Sequence, residues 1–104
     1  MKRLKDLSQL TDGCTITLIK HGDVYVWEFL MIHPHNPKYI LALNSVCQSG
    51  DKLYIPTLFE DNYFVGEYDR KFVMRERIKQ YKMRISALER IINEIQDGNN
   101  EKIM

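Results

Sequence analysis

The sequence is poor in the residues that punctuate or cross-link a chain. Its 104 residues include only two cysteines, three prolines and five glycines, so one disulfide is the maximum and no proline-rich or glycine-rich segment is present. The opening MKRLKDLSQL is charged throughout, which predicts neither a signal peptide nor a membrane anchor. No run reaches the roughly 18 apolar residues of a membrane-spanning helix. We therefore expect a single cytoplasmic domain over residues 1–104, with no membrane partner.

Catalytic and cofactor-binding motifs are equally scarce. The glycines are isolated from one another, so no phosphate-binding loop is formed. Cys14 and Cys47 carry no catalytic signature, because a nucleophile needs a histidine oriented by a third group. The carboxylates of Glu60 and Asp61 lie in a turn-like acidic segment that is typical of solvated side chains. The sequence thus predicts a protein that is not an enzyme and uses no cofactor.

One group of histidines could bind a metal ion. His33 and His35 are two residues apart, so on a strand both imidazoles would point to the same side. The third histidine and the two cysteines could complete a ligand set. However, no Cys-x-x-Cys or His-x-x-x-His pair is present, and the following Asn36-Pro37 favours a hairpin loop. We predict no metal site.

Short apolar runs with strand character fill the first two thirds of the chain. They recur about every ten to twelve residues, which is the rhythm of a small meander or barrel. Five segments have this pattern: residues 14–20, 24–32, 39–46, 53–55 and 63–68. A tight turn at His21-Gly22-Asp23 joins the first two, and Leu4, Leu7 and Leu10 suggest a helical turn before them. The prediction is an α+β fold with a small antiparallel β-barrel, or a strongly bent sheet, of four to five strands. SH3-like and Sm-like barrels have this size.

The run over residues 24–32 is the most apolar of the five. It is apolar at every position except Glu28 and contains Trp27, the only tryptophan. Such a strand is expected to be covered on both faces, or to bend and change partners inside a barrel. A helix is the alternative, but the crowding of Val, Tyr, Trp and Phe disfavours it. We expect Trp27 to lie in the core.

The last third has a different period, typical of one long helix over residues 70–97. Asp97-Gly98-Asn99 is a helix stop, and residues 101–104 are expected to fray. Apolar residues alternate at spacings of four and three without an error, as in a coiled coil. We call this set the heptad stripe: Met74, Ile78, Tyr81, Ile85, Leu88, Ile92 and Ile95.

The heptad stripe predicts self-association into a homodimer or higher homo-oligomer, and packing on the protein's own sheet is the alternative. Flanking charges leave the orientation of the helices open. In a parallel pair Arg77 faces Lys82, which is repulsive, and Arg84 faces Glu89, which is attractive. An antiparallel pair could match Lys82 with Glu89 instead.

Charge is unevenly distributed although the net charge is only +1. Residues 70–90 contain eight basic and two acidic side chains, whereas residues 48–69 contain five acidic and one basic. A basic helix can follow a phosphate backbone, and Arg77, Lys79 and Arg84 are candidate contacts for a polyanion or an acidic protein. The alternative is that the basic residues fold back on the acidic segment. They circle the helix, which makes another protein a better partner than nucleic acid.

Aromatic side chains form the last candidate surface, because ten of the eleven lie between residues 25 and 72. A tyrosine-lined surface can bind peptides, bases or small ligands by stacking, and the alternative is that the rings close the rim of a small core. The candidates are Tyr25, Tyr39, Tyr54, Tyr63 and Tyr68.

Together these patterns predict a non-catalytic binding or inhibitor module that acts by surface recognition and self-associates through its helix. Its size is typical of accessory proteins of phages and mobile elements. A nucleic-acid-binding regulator and a nucleotide-like ligand pocket of Tyr and Trp are the alternatives.

Overall fold

The chain forms one antiparallel sheet followed by one long helix. A computed structural model describes residues 1–97. The strands are β1 (Lys2–Arg3), β2 (Thr15–Lys20), β3 (Asp23–Ile32), β4 (Tyr39–Asn44), β5 (Gly50–Tyr54) and β6 (Tyr63–Val65). The helices are α1 (Ile55–Glu60) and α2 (Arg70–Asp97), with one turn of 3-10 helix at Leu7–Gln9. The α+β class and the long helix are confirmed, whereas the predicted helix stop at residues 98–99 and fraying at 101–104 lie outside the described residues.

The sheet is open, so the predicted barrel is wrong. Its strand order is β1-β6-β2-β3-β4-β5, with every neighbouring pair antiparallel. Strands β1 and β5 are the two edges and do not pair with each other. There are six strands instead of four to five, because Lys2 and Arg3 pair with Val65 and Phe64 of β6. Two charged residues at a chain end carry no strand pattern, so this edge strand could not be recognised.

The main core lies on the side of the sheet that we call the inner face. Alternate residues of the strands point to this face, and Leu4 and Leu58 of α1 complete the cluster. Both leucines are fully buried. The strand residues of the cluster are Ile16, Leu18, Trp27, Phe29, Ile40, Ala42, Tyr63 and Val65. The N-terminal segment and α1 therefore cover the inner face, leaving α2 for the opposite side.

Strand β3 corrects one expectation and confirms another. It is a strand, and Trp27 is only 7% exposed, as predicted. Its indole Nε1 donates to Asp51 Oδ2 of β5 at 2.8 Å. Coverage of both faces is wrong, because the side chains of Tyr25, Leu30, Met31 and Ile32 are exposed. For Leu30, Met31 and Ile32 the reason is a register shift between Phe29 and Met31, since a bulge interrupts the alternation that buries one face; Tyr25 precedes the bulge, and this shift does not explain its exposure.

The segment between β5 and β6 also differs from the sequence expectation. Residues 53–55 read as a short strand that Pro56 ends, but β5 already begins at Gly50 and ends at Tyr54. Helix α1 then starts at Ile55 with proline in its first turn, where the missing N–H costs nothing. The possible last strand over residues 63–68 shortens to β6.

The opposite side of the sheet, which we call the outer face, receives the start of α2. Val73 and Phe72 pack there against Ile19 and Phe64, and the rings of Phe64 and Phe72 meet edge to face at 4.9 Å. Asp69 Oδ1 accepts the backbone N–H groups of residues 71 and 72, which caps the helix. The start of helix α2 is thereby anchored mainly over β6 and β2.

Candidate functional site

A clasp between α2 and the β2–β3 turn sets the direction of the helix. The turn is formed by His21 and Gly22, whose φ angles are 56° and 87°, the positive pair that a two-residue type I′ hairpin needs. Arg77 Nε donates to Gly22 O at 2.8 Å, and Gly22 N donates to Gln80 Oε1 at 2.8 Å. Gln80 Nε2 also donates to a β2 carbonyl at 2.7 Å, and the Tyr81 hydroxyl donates to Gly22 O at 3.4 Å. We call these contacts of Arg77, Gln80 and Tyr81 the Gly22 clasp.

The heptad stripe does not pack on the sheet. The residues of α2 that contact or face the sheet recur at spacings of four, three and four. They are Val73, Arg77, Gln80 and Arg84. Each is followed by one stripe residue, which lies about 100° further round the helix. Six of the seven stripe side chains are between 42% and 55% exposed, and Ile95 is partly buried. Tyr81 alone belongs to both the stripe and the clasp.

The helix also extends beyond its support. Its 28 residues span about 42 Å at 1.5 Å per residue, whereas the Gly22 clasp ends at Tyr81. Ile91 and Met83, which the heptad pattern did not single out, are 52% and 72% exposed. Ile91 adjoins Ile92 and widens the apolar surface on the same flank as Arg84. In the sequence, the only sign of this role is that Ile91 adjoins Ile92 of the stripe. A pattern that considers only the heptad core positions leaves Ile91 out.

Charge divides α2 into two unlike halves. Residues 70–84 contain seven basic side chains and one acid, and residues 85–97 contain three acids and one arginine. Among the three predicted polyanion contacts, Arg77 is held by the clasp and Lys79 pairs with Glu76 at 3.0 Å. The hydrogen bond to the Tyr81 hydroxyl raises the pKa of Arg77. Arg84 is exposed and lies at a groove beside the helix.

That groove separates α2 from the β2–β3 turn and the α1–β6 connection. Its volume is about 610 Å³, and its walls combine both charge signs with apolar groups. Lys20 Nζ lies 4.0 Å from Asp61 Oδ2 across it. The lining residues are Ile19, Lys20, His21, Glu60, Asp61, Asn62, Gln80, Met83 and Arg84. Cations and carboxylates that face each other in this way favour neither an anionic nor a cationic ligand.

The predicted tyrosine surface is divided between the two faces of the sheet. Tyr25 stacks on Trp27 at 6.2 Å, and Trp27 lies 6.1 Å from the ring of Tyr63, all on the inner face. Burial raises the pKa of the Tyr63 phenol, and the nearby Asp61 carboxylate adds to the shift. Tyr39 and Tyr54 pair at 5.3 Å between β4 and β5, on the outer face.

Tyr68 lies in the connection between β6 and α2 and is 42% exposed, separate from both tyrosine groups. The outer face over β3–β5 also exposes apolar groups, among them the half-exposed Met31 and the partly buried Leu41. Because α2 is anchored over β6 and β2, this part of the sheet remains accessible.

The histidine pair shapes a loop. His33 Nδ1 accepts the backbone N–H groups of His35 and Asn36 at 3.0 and 3.1 Å, and the two imidazole rings lie 6.0 Å apart. Within residues 1–97, no three His, Cys, Asp or Glu side chains are grouped to hold a metal ion.

The two cysteines lie in different environments. Cys14 is partly buried beside the inner-face cluster, and Cys47 is exposed in the β4–β5 loop. Its Sγ lies 3.0 Å from Ser49 Oγ, and hydrogen bonds from Ser49 lower the pKa of the Cys47 thiol. Among the contacts of the described residues, neither thiol lies beside a histidine that could activate it.

Comparison with known proteins identifies no relative. Neither described helix combines the length and the apolar composition needed to cross a membrane. The chain matches no protein-family model, no curated protein and no solved structure at a significant level.

Proposed function

We propose that this protein is a non-catalytic binding module that self-associates into a homodimer through the heptad stripe of α2. The observation that carries the proposal is the exposure of a stripe with an error-free heptad spacing. A helix that merely closed the sheet would turn these residues inward, and α2 turns Val73, Arg77 and Gln80 inward instead. One core position is Ile in every heptad, and the other is filled by Met74, Tyr81, Leu88 and Ile95, so the whole stripe is an apolar seam of the coiled-coil kind.

The area available on α2 supports a weak dimer. Full burial of an Ile or Leu side chain contributes about 1.5–3 kcal/mol, so burial of an exposed half contributes about 1 kcal/mol. Six half-exposed stripe residues per copy yield about 12 kcal/mol in a dimer. Association costs about 4–15 kcal/mol. A dimer therefore needs a cost near the lower end of this range, and at about 4–6 kcal/mol the dissociation constant is about 1–40 μM.

Recognition of another protein by surface contact completes the proposal. The accessible part of the outer face over β3–β5 supports it, because exposed apolar groups bordered by charges are typical of protein interaction sites. Tyr39 and Tyr54 lie there with Lys52, whose Nζ is 5.5 Å from the Tyr39 ring. Tyrosines are enriched in such interfaces.

The alternative functions have less support. A nucleotide-like ligand would need tyrosines around one pocket, but the tyrosines lie on both faces of the sheet and the Trp27 indole N–H is bonded to Asp51. Of the three candidate contacts to a phosphate backbone, Arg77 and Lys79 already have partners, which leaves Arg84.

Two matched double variants test self-association. Ile85→Asp with Leu88→Asp places carboxylates in the stripe, where a dry interface would bury them at a cost of several kcal/mol. Met83→Asp with Ser86→Asp introduces the same charge at the same spacing, off the stripe. Sedimentation equilibrium should show a dimer for wild type and the control, and a monomer for the stripe variant. Wild-type protein that is monomeric at high micromolar concentration contradicts the proposal.

A further inference from the structure

Building on the proposed dimer, we infer that the two α2 helices pair antiparallel, with the acidic C-terminal half of each lying along the basic half of its partner. The charge division within α2 is the starting point. A parallel pair places seven basic residues of one copy beside the same seven of the other. Reversing one helix brings the half with three acids and one arginine against the half with seven basic residues and one acid, which is complementary.

One antiparallel register joins the stripes without like charges on the flanks. Ile85 packs against the partner's Leu88, Tyr81 against the partner's Ile92 and Ile78 against the partner's Ile95. Two-fold symmetry repeats these contacts, so the interface has six apolar layers. Lys82 then lies beside the partner's Glu89, twice per dimer, because residues that follow the second core position face each other in antiparallel pairs.

The competing arrangements all create repulsion. In a parallel pair Arg77 faces the partner's Lys82 at two symmetric places, although Arg84 gains the partner's Glu89. An antiparallel pair shifted by one heptad in one direction brings Lys82 against its own symmetry mate. The opposite shift does the same to Glu89. Like charges at such positions cost about as much as opposite charges contribute.

The exposure of Ile91 is explained by this register and not by the parallel one. Ile91 lies on the flank beside Arg84, and the register places it against the aliphatic stem of the partner's Arg84. In a parallel pair the same side chain meets the partner's Gln96 amide. Apolar packing on an arginine stem is favourable while its guanidinium stays in water. Arg84 lies beyond the Gly22 clasp, where it lines the groove and is exposed, so its stem is accessible to the partner helix.

A single charge reversal separates the two orientations. Lys82→Glu replaces two attractive contacts with the partner's Glu89 by two repulsive ones in the antiparallel dimer, so self-association should weaken about tenfold. In a parallel dimer the same change pairs Glu with the partner's Arg77 and strengthens association. Lys79→Glu carries the same change of charge off the interface and should alter the dissociation constant less than threefold. Adding Glu89→Lys to Lys82→Glu should restore wild-type association.

Disulfide capture tests the geometry directly. In a background with Cys14→Ala and Cys47→Ser, variants Ile78→Cys and Ile95→Cys are prepared separately and oxidised with oxidised glutathione. The antiparallel register joins the two variants when they are mixed, and neither should cross-link alone. In this register residue 78 of one copy lies level with residue 95 of the other, so the two copies of residue 78 are about 26 Å apart and neither variant can bridge to itself.

The outcomes distinguish this inference from the proposed function. Cross-linking of each variant with itself, or tighter association of Lys82→Glu, overturns the antiparallel orientation and leaves self-association intact. A wild-type protein that sediments as a monomer overturns both.

Discussion

The close contact between Gly22 and Tyr81 allows the attachment of α2 to be measured. A Cβ atom at Gly22 would lie 2.4 Å from two carbons of the Tyr81 ring and 2.7 Å from its hydroxyl oxygen. Gly22→Ala must therefore displace the ring. Gly13 is the matched control, because its φ of 74° is also positive and a Cβ there has no neighbour within 4 Å. Comparing the two substitutions separates backbone strain from the loss of the clasp.

The expected magnitudes follow from the contacts. An alanine in the left-handed region costs about 1–2 kcal/mol, and this is the whole effect expected for Gly13→Ala. Displacing Tyr81 also loosens the bonds to Gly22 O from Arg77 at 2.8 Å and from the tyrosine hydroxyl. Each contributes about 0.5–1.5 kcal/mol. Gly22→Ala should thus reduce the free energy of unfolding by about 2–5 kcal/mol.

Urea unfolding of both glycine variants, alone and combined with Tyr81→Leu, measures the contact as a double-mutant cycle. The expected result is a coupling of about 1–2 kcal/mol between positions 22 and 81 and none between positions 13 and 81. Far-ultraviolet circular dichroism before unfolding verifies that each variant keeps its helix. Equal losses for Gly22→Ala in both backgrounds would refute the clasp, because the penalty would then be backbone strain alone.

Further predictions concern the core, the pH response and the basic half of α2. Trp27 emission should be blue-shifted and poorly quenched by iodide, and Trp27→Ala should lower the free energy of unfolding by about 3–5 kcal/mol; free quenching would contradict its burial. Thr17 is fully buried, and its hydroxyl has no partner within residues 1–97, so Thr17→Val should raise the melting temperature, consistent with about 1 kcal/mol. The raised pKa of Tyr63 means that its contribution to stability is complete below the unfolded pKa of about 10 and is lost as pH rises toward the folded value; Tyr63→Phe should unfold less readily in alkali than wild type. Labelled oligonucleotides should not bind wild-type protein at physiological salt, and micromolar binding that weakens steeply with salt would contradict this.

The sequence predicted the elements with strong periodicity and missed those defined by pairing. The spacing over residues 70–97 identified α2 throughout its described residues, and the alternation in β2, the Val, Tyr, Trp and Phe content of β3 and the turn residues between them identified the hairpin. Strand β1 consists of two charged residues and exists because β6 offers a free edge, which no local pattern reveals. Closure of the sheet also depends on pairing between distant edges, so strand rhythm alone could not distinguish an open sheet from a barrel.

The sequence predicted which residues belong to the candidate site but not how they are arranged in space. The heptad spacing selected the stripe, yet its exposure depends on which side of α2 meets the sheet. That choice is made by Val73, Arg77 and Gln80, of which two are polar and bind backbone groups. A polar residue that hydrogen-bonds a distant turn is indistinguishable, in sequence, from one that faces water. The basic residues were therefore interpreted as a surface, whereas Arg77 is a structural part of the clasp.

The Gly22 clasp and the inferred antiparallel pairing both argue against a nucleic-acid partner. Among the seven basic residues of the N-terminal half of α2, the clasp holds Arg77 against the sheet, and Lys79 pairs with Glu76, so two of the three candidate polyanion contacts are already engaged. In the antiparallel dimer the partner's acidic half further lowers the potential along this surface. In that dimer fewer of the cations beside the stripe are free to meet phosphates, as counterion release requires. Under the inferred pairing, the charge that suggests a nucleic-acid partner in the sequence is instead the complement of the helix's own C-terminal half.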